Sequence, residues 1–314
     1  MKVLVIGEPC IDVIHKADGK VYHEHGGISY SVVASTVAND AAETVPVIGL
    51  GTEDLEYFRG LFDRLDHLNP AGIYQTAAPV RRVDLFYEDE NNRWECSTQP
   101  IEPTSFEKIS PFLPADGIHL NLIGGNDIKI DTLKKIRNAA PGCHMHLDLH
   151  NIVMNRQPDG RRVRGPRADY LEWSGLADTV QMNEEEAAAI DIDTTDKRRL
   201  AEKILDTGVK AFVVSLAERG ILLFEKRNGK VEQHIFPSKM VDVVDPTGSG
   251  DVFGAVFLHA VVNGRDFSEA SKEGIEFAAR KVGAAGPSGF LQVELARRAV
   301  SIHGTLKSVG ANVK

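Results

Sequence analysis

At 314 residues, 42% hydrophobic and 26% charged, the chain has a globular composition and room for one large α/β domain or two ordinary ones. Its 45 Asp and Glu against 36 Lys and Arg give −9 at pH 7, which argues against nucleic acid as a main partner but not against a nucleotide held at a local positive site. Cys10, Cys96 and Cys143 are odd in number and far apart, the pattern of a reduced, cytoplasmic protein without a disulfide framework or a zinc site, and no apolar stretch is long enough to span a membrane.

In chain order, Val3–Ile6 reads as a buried parallel-type strand ended by Gly7, too short for a signal h-region. Residues 10–24, with a Gly19 turn, suggest a short hairpin, and Gly26-Gly27 open a small-residue helical run from Ser29 to Ala42. Val45–Leu50 is the next strand and Asp54–Leu65 a helix. Val80–Glu88 and Arg93–Thr98 flank Asp89-Glu-Asn-Asn92 as a hairpin whose alternation suits a sheet exposed on one face. Strands and helices then alternate: strand 117–122, helix 129–139, strand 144–149, helix 169–174, strand 179–182, helices 184–190 and 197–207, strands 211–215 and 221–224, and helices 268–282 and 291–301. Such βα alternation predicts one doubly wound, mostly parallel sheet over residues 1–314, with segments at about 10–25 and 72–100 inserted as a small β-sheet lid.

The most informative segment is Asp245-Pro-Thr-Gly-Ser-Gly-Asp251, between a β-like run (His234 to Val244) and an apolar helix, Val252–Ala260. A small-residue turn entering a buried helix leaves backbone N–H groups unpaired at the positive end of the helix dipole, a natural anion site. Gly248 and Gly250 carry no Cβ to obstruct a phosphate. A carboxylate beside a phosphate is poorly suited to binding it, but well suited to taking a proton from an attacking hydroxyl, so Asp251 points to phosphoryl transfer to an alcohol. The simpler alternative is that Asp251 only caps the helix; a helix apolar on nearly all sides, and therefore central, favours the functional reading.

The segment resembles the Asp-Thr-Thr-Gly-Ala-Gly-Asp signature of the ribokinase-like (PfkB) carbohydrate kinases, with Pro246 and Ser249 as variations. The resemblance implies a ribokinase-like fold, Asp251 as catalytic base, and an anion hole from the amides of Gly248, Ser249 and Gly250. It implies a metal side at Asn183 and Glu186, which match an Asn-x-x-Glu pattern and would act on Mg²⁺ through water; the residues alone also allow Asn183 to be a helix N-cap. Asp12 would bond sugar hydroxyls, with Gly26, Gly27 and Ser31 beside it, although Ser31 stands where the family often has Asn and Tyr30 is bulky. Ser215 and Gly220 match a nucleotide-side motif in which Ala217 replaces a Gly. Residues 277–289 fall in the adenine- and potassium-side region, and Asp245 falls where some members hold a monovalent cation, K⁺; a plain turn cap is an equal reading.

His144, His146, Asp148 and His150 alternate and would share a strand face, as cleft-facing polar residues rather than a zinc cluster. Arg161, Arg162, Arg164 and Arg167 read as a solvated loop. No Walker P-loop and no Gly-x-Gly-x-x-Gly after the first strand are present. The expectation is an ATP- and Mg²⁺-dependent kinase for a sugar-like hydroxyl, with the 80–98 hairpin closing over the substrate and a homodimer through the lid. A nucleoside kinase of the same fold and a catalytically silent sugar-binding regulator are the alternatives.

Overall fold

Strand β1 (Lys2–Ile6) is buried over Val3–Ile6 because strands flank it on both sides, and a computed structural model describes the chain around it over residues 1–39, 41–87, 93–98 and 101–310. Next come β2 (Pro9–His15), β3 (Val21–Gly27), helix α1 (Ser29–Ala38), β4 (Glu43–Gly51), α2 (Leu55–Phe62), β5 (Ile73–Thr76), β6 (Arg81–Tyr87) and β7 (Arg93–Ser97). The chain continues through α3 (Phe106–Ile109), β8 (Gly117–Asn121), α4 (Ile130–Ala139), β9 (His144–Asp148), β10 (Met154–Arg156), β11 (Arg162–Arg164) and α5 (Tyr170–Ser174). It ends with β12 (Thr179–Asn183), α6 (Glu184–Ala189), α7 (Lys197–Asp206), β13 (Ala211–Ser215), β14 (Ile221–Arg227), β15 (Lys230–Phe236), α8 (Ser249–Val262), α9 (Phe267–Val282) and α10 (Gly286–Gly310).

Nine strands form the large sheet in the order β15-β14-β13-β12-β9-β8-β1-β4-β5. The seven from β5 to β13 run parallel, and β14 and β15 close that edge as an antiparallel pair. Alternate residues of the central strands explain its two faces. Leu4, Ile6, Ile118, Leu120, Met145, Leu147, Val180 and Met182 pack with Leu133 and Ile136 of α4 and Leu200 and Ile204 of α7. The opposite side of the same strands is buried and polar: His119 and Asn121 on β8, His146 and Asp148 on β9, Thr179 and Gln181 on β12. Helix α8 lies over these residues, its Phe257 ring 5.4 Å from that of His146. Its Asp251–Ala260 stretch is buried throughout, as its apolar sequence predicts.

A separate four-stranded sheet has the order β3-β2-β6-β7. The β2–β3 hairpin pairs over seven residues, and β2 runs parallel to β6. The 89–92 turn lies outside the described residues. Arg81 at the start of β6 anchors this sheet: its guanidinium donates to both carboxylate oxygens of Glu8, at 2.6 and 2.7 Å, with both residues buried.

Three expectations change. Ile73–Thr76 lies not in the small sheet but at the edge of the large one, paired with β4. The β-like run 234–244 is a strand only to Phe236; Pro237 has no N–H to continue the ladder, and the Val244 and Asp245 amides donate to Val282 O, so the segment hangs on the end of α9. The arginine cluster is not simply a solvated loop: Arg162 lies on β11 with its side chain 5% exposed and 3.3 Å from Glu95, while Arg164 and Arg167 pair with Glu185 and Asp169.

Asp178, just before β12, ties three segments through Arg137 Nη2 (2.8 Å), Lys210 Nζ (2.8 Å) and the Met145 N–H (2.9 Å). Burial opposes its ionisation, but these donors win and hold its carboxyl at about 2. A carboxyl depressed in the folded state stabilises above its ordinary value of 3.8 and loses that contribution as pH falls toward 2. Asp178→Asn should therefore destabilise the protein at pH 7 by about 1–3 kcal/mol, a deficit that shrinks between about pH 4 and 2. Urea titrations at several pH values check this; a deficit constant with pH contradicts it.

Candidate active site

Asn121 and Asp148 end β8 and β9, and Gln181, in the middle of β12, is the register partner of Asp148; the first turn of α8 sits on this polar row. Asp251 is the third residue of α8, 8% exposed, and its Oδ1 accepts a short hydrogen bond from Asn121 Nδ2. It is therefore not the capping residue: the N-cap is Gly248, which has no side chain to satisfy the first-turn amides. Gln181 Nε2 donates to both Asp148 Oδ2 (3.0 Å) and Gly250 O (2.9 Å), fixing the turn to β12. Gly248, Ser249 and Gly250 are partly exposed, so the turn is open where Asp251 is enclosed.

Gly248 is required twice over. Its φ is +76°, and a Cβ there would lie 2.3 Å from the Tyr30 ring. Tyr30, expected near the substrate, instead supports the turn from below. Burial raises its phenol well above the usual value, and the charges of Asp12, Asp245, Asp251 and Glu24 add to this, which places the ring among both the Asp12-side and the α8-side carboxylates. Ser31 also departs from expectation. It is fully buried, its hydroxyl donates to Asp251 O (3.4 Å), and it lies 3.1 Å from His119 Nε2, so it braces α8 from beneath rather than facing the cleft.

Asp12, on β2, lies over Gly26, where a Cβ would be 2.4 Å from its carboxylate; Gly26 and Gly27 pair with Cys10 and Pro9. Cys10 Sγ donates to Asp12 Oδ1 at 3.2 Å, and burial followed by the Asp12 charge pushes that thiol well up.

Asn183 and Glu186 form a reciprocal capping box: Asn183 Oδ1 accepts from the Glu186 N–H (2.8 Å), and the Glu186 carboxylate accepts from Asn183 N and Nδ2, each at 2.7 Å. The capping reading of Asn183 is thus correct, and it also fixes the Glu186 carboxylate. Glu186 Oε1 is 3.5 Å from His150 Nδ1, and ligand atoms of Asp148, His150 and Glu186 lie within 4.8 Å of one another. Burial raises Asp148 and Glu186, with the Asp251 charge adding to each, while the three carboxylates outweigh burial and raise His150. Only His150 of the four alternating residues joins this group by its imidazole; His144 and His146 bond Thr179 Oγ1 at 3.2 and 2.9 Å, and burial pushes His146 down to about 3, a neutral ring.

Ser215, opposite Asn183 at the end of β13, and Gly220 with φ +95° lie one strand further out. Ala217 has φ +53°, so the Gly-to-Ala difference there places an alanine in left-handed backbone, a strained substitution. Asp245 is engaged from within the chain: its Oδ2 and carbonyl accept from Lys281 Nζ at 2.9 and 2.8 Å. Asn121, Gln181 and Lys281 were missed in the sequence; the first two are visible there only as polar residues in otherwise apolar strands.

The model of the pfkB family carbohydrate kinases matches residues 107–293, more than half of the chain. The chain belongs to this family. It is a phosphotransferase with a hydroxyl acceptor, of the kind that acts on sugars or nucleosides. Among curated relatives of this pfkB-family chain, a cytidine kinase of Thermococcus kodakarensis is 25% identical over 281 residues, covering 88% of this chain and 95% of the relative. Two solved structures share the fold: a pyrophosphate-dependent ribokinase-family kinase bound to a pyrophosphate analog and myo-inositol (TM-score 0.74, 18% identity, 94% and 99% coverage), and a ribokinase of Thermotoga maritima (TM-score 0.69, 20% identity, 94% and 99% coverage). No helix among the described residues is long and apolar enough to cross a membrane.

Two glycines of the turn should respond oppositely to alanine. Gly248→Ala forces a Cβ into the Tyr30 ring in left-handed backbone and should lower stability by more than about 1–2 kcal/mol. Gly250→Ala meets only Gln181 Nε2 at 3.6 Å and should be neutral or stabilising by up to ~1 kcal/mol. Thermal melts of the two variants check this; equal losses contradict it.

Proposed function

We propose that the protein transfers the γ-phosphoryl group of ATP to a hydroxyl of a sugar or sugar-containing small molecule, with Asp251 as the base. The observation that carries this reading is the placement of Asp251. It is enclosed, fixed by Asn121, and set beside the open Gly248–Gly250 turn at the positive end of α8. A hydroxyl lying against Asp251 Oδ2 would face a phosphoryl group held by the turn amides. As the oxygen attacks the γ-phosphorus, its proton passes to the carboxylate and the bond from that phosphorus to the bridging oxygen breaks, releasing ADP; the amides stabilise the charge on the group in transit. Asn121 keeps the carboxylate aimed, and Gln181 holds the turn carbonyl, so little reorganisation accompanies the reaction.

The metal side fits Mg²⁺ by its donor chemistry. Asp148 and Glu186 are buried carboxyls whose ionisation is disfavoured by burial and by Asp251 and favoured by the single imidazole of His150, so with both ionised one negative charge would stand in surplus. Hard oxygen donors in such a surplus suit a divalent cation, bound partly through water. When bound, Mg²⁺ would offset the charge of the triphosphate. Ser215 and Gly220 are assigned to the nucleotide side, and Asp12 with Gly26 and Gly27 to the acceptor side, where a carboxylate can accept from two neighbouring hydroxyls. The β6–β7 part of the small sheet, anchored through Arg81 and Glu8, would cover the acceptor and exclude water.

A nucleoside acceptor is the second reading, supported by the near-full-length likeness to a cytidine kinase. A panel of sugars, polyols and nucleosides with ATP or pyrophosphate as donor, followed by ³¹P NMR of the product, separates these readings; acceptor binding without phosphorylated product from any pair favours a silent binding protein. Asp251→Asn should lower kcat by about 10²- to 10⁴-fold while calorimetry shows ATP binding within about threefold of the parent. Near-parental turnover in Asp251→Asn would remove Asp251 from the role of base.

A further inference from the structure

Lys281 is the penultimate residue of α9 and is completely buried. A buried ammonium is costly unless each of its donors is met. Here three oxygens surround Nζ: Asp245 O at 2.8 Å, Asp245 Oδ2 at 2.9 Å and Ala284 O at 3.1 Å. One carboxylate and two backbone carbonyls make a donor set suited equally to a dehydrated monovalent cation. The face of Tyr30 lies 5.3 Å from Nζ, and the same ring supports Gly248.

The surroundings join this charge to the turn. Asp245 Oδ1 accepts from Thr247 N at 2.9 Å, and Oδ2 accepts from Gly286 N at 3.0 Å. The Val244 and Asp245 amides donate to Val282 O at 2.9 and 3.0 Å. Lys281 thus gathers the start of the anion turn, the α9–α10 connection and the Tyr30 ring around one positive charge. Burial works against both ionised partners: it holds Lys281 below its usual value against the pull of Asp245, while the Lys281 charge keeps Asp245 below its own.

We propose that Lys281 is a built-in monovalent cation: its ammonium fills a cation site of the fold from within the chain and holds the 245–251 turn in its phosphate-binding shape. The enzyme then needs no dissociable K⁺, and the site accepts a free cation once the tether is cut. Lys281 is a positioning residue, acting through Asp245 and Gly248 rather than on substrate. The proposal rests on the kinase reading for its effect on turnover, but not for its effect on cation binding.

The test compares the intact protein and Lys281→Ala in chlorides of tetramethylammonium, potassium and methylammonium at equal ionic strength, reading melting temperature and, with an acceptor found active, kcat. The wild type should show the same melting temperature, and kcat within twofold, in all three salts. Lys281→Ala should melt lower in tetramethylammonium and recover in potassium or methylammonium. Its kcat should drop at least tenfold in tetramethylammonium and regain at least fivefold with either smaller cation. A wild type that needs potassium overturns the proposal, as does a variant whose melting temperature is unchanged by cutting the tether or unmoved by the smaller cations. If the variant is soluble only in potassium or methylammonium, the proposal stands; insolubility in all three salts overturns it. Melting shifts decide the cation site even where no acceptor supports turnover, so loss of the kinase reading alone would leave rescue of stability intact.

Discussion

Four carboxylates set the constraint on which the site depends. Asp148, Glu186 and Asp251 are at most 8% exposed, and Asp245 joins them at the entrance to α8. Buried like charges cannot all ionise without compensation. The chain compensates on both flanks of the turn: His150 stands against Asp148 and Glu186, and Lys281 closes on Asp245. Between them the first-turn amides of α8 present the positive end of a helix dipole. The result is alternating charge across a short span, which suits a chelated polyphosphate better than a single neutral ligand.

This arrangement explains a feature of the core that packing alone would disfavour. The middle of a parallel sheet covered on both faces is normally aliphatic, yet beneath α8 it carries His119, Asn121, His146, Asp148, Thr179 and Gln181. Burial keeps His119 and His146 well below the ordinary imidazole value, so they serve as neutral hydrogen-bonding groups. Ser31, His119 and Asn121 connect α1, β8 and the backbone and side chain of Asp251, while Gln181 connects β12 to Gly250. An aliphatic layer would pack α8 as well but would leave its first turn free to shift. The polar layer fixes rotation and height of the helix, which sets where Asp251 points.

The sequence was most readable where a local pattern and a physical requirement coincide. The Gly248-Ser-Gly-Asp251 turn announced itself because left-handed backbone, open amides and an all-apolar helix leave few alternatives; β1 and β13 were visible as short apolar runs, and β8, β9 and β12 through the regular alternation of strands and helices. Asn183 and Glu186 were legible as a spacing, and the capping box shows why that spacing has local meaning. Long-range partners were not legible. Lys281 looks like any helical lysine until the 237–248 segment, with no strand of its own, folds back onto α9. Arg81 and Glu8 are 73 positions apart and meet only when the small sheet docks. Ser31 was assigned to the acceptor from the pattern around Gly26-Gly27, but α1 turns it under α8 instead, where it bonds Asp251 O.

The central claim is that the α8 turn holds the phosphoryl group in transit while Asp251 takes the acceptor proton. A crystal structure with ADP, Mg²⁺, aluminium fluoride and an acceptor found active tests this most directly. The account predicts the fluoride group on the amides of residues 249–251, with the acceptor hydroxyl hydrogen-bonded to Asp251 and in line with the aluminium. A fluoride group bound away from the turn, or an acceptor hydroxyl out of reach of Asp251, would contradict it.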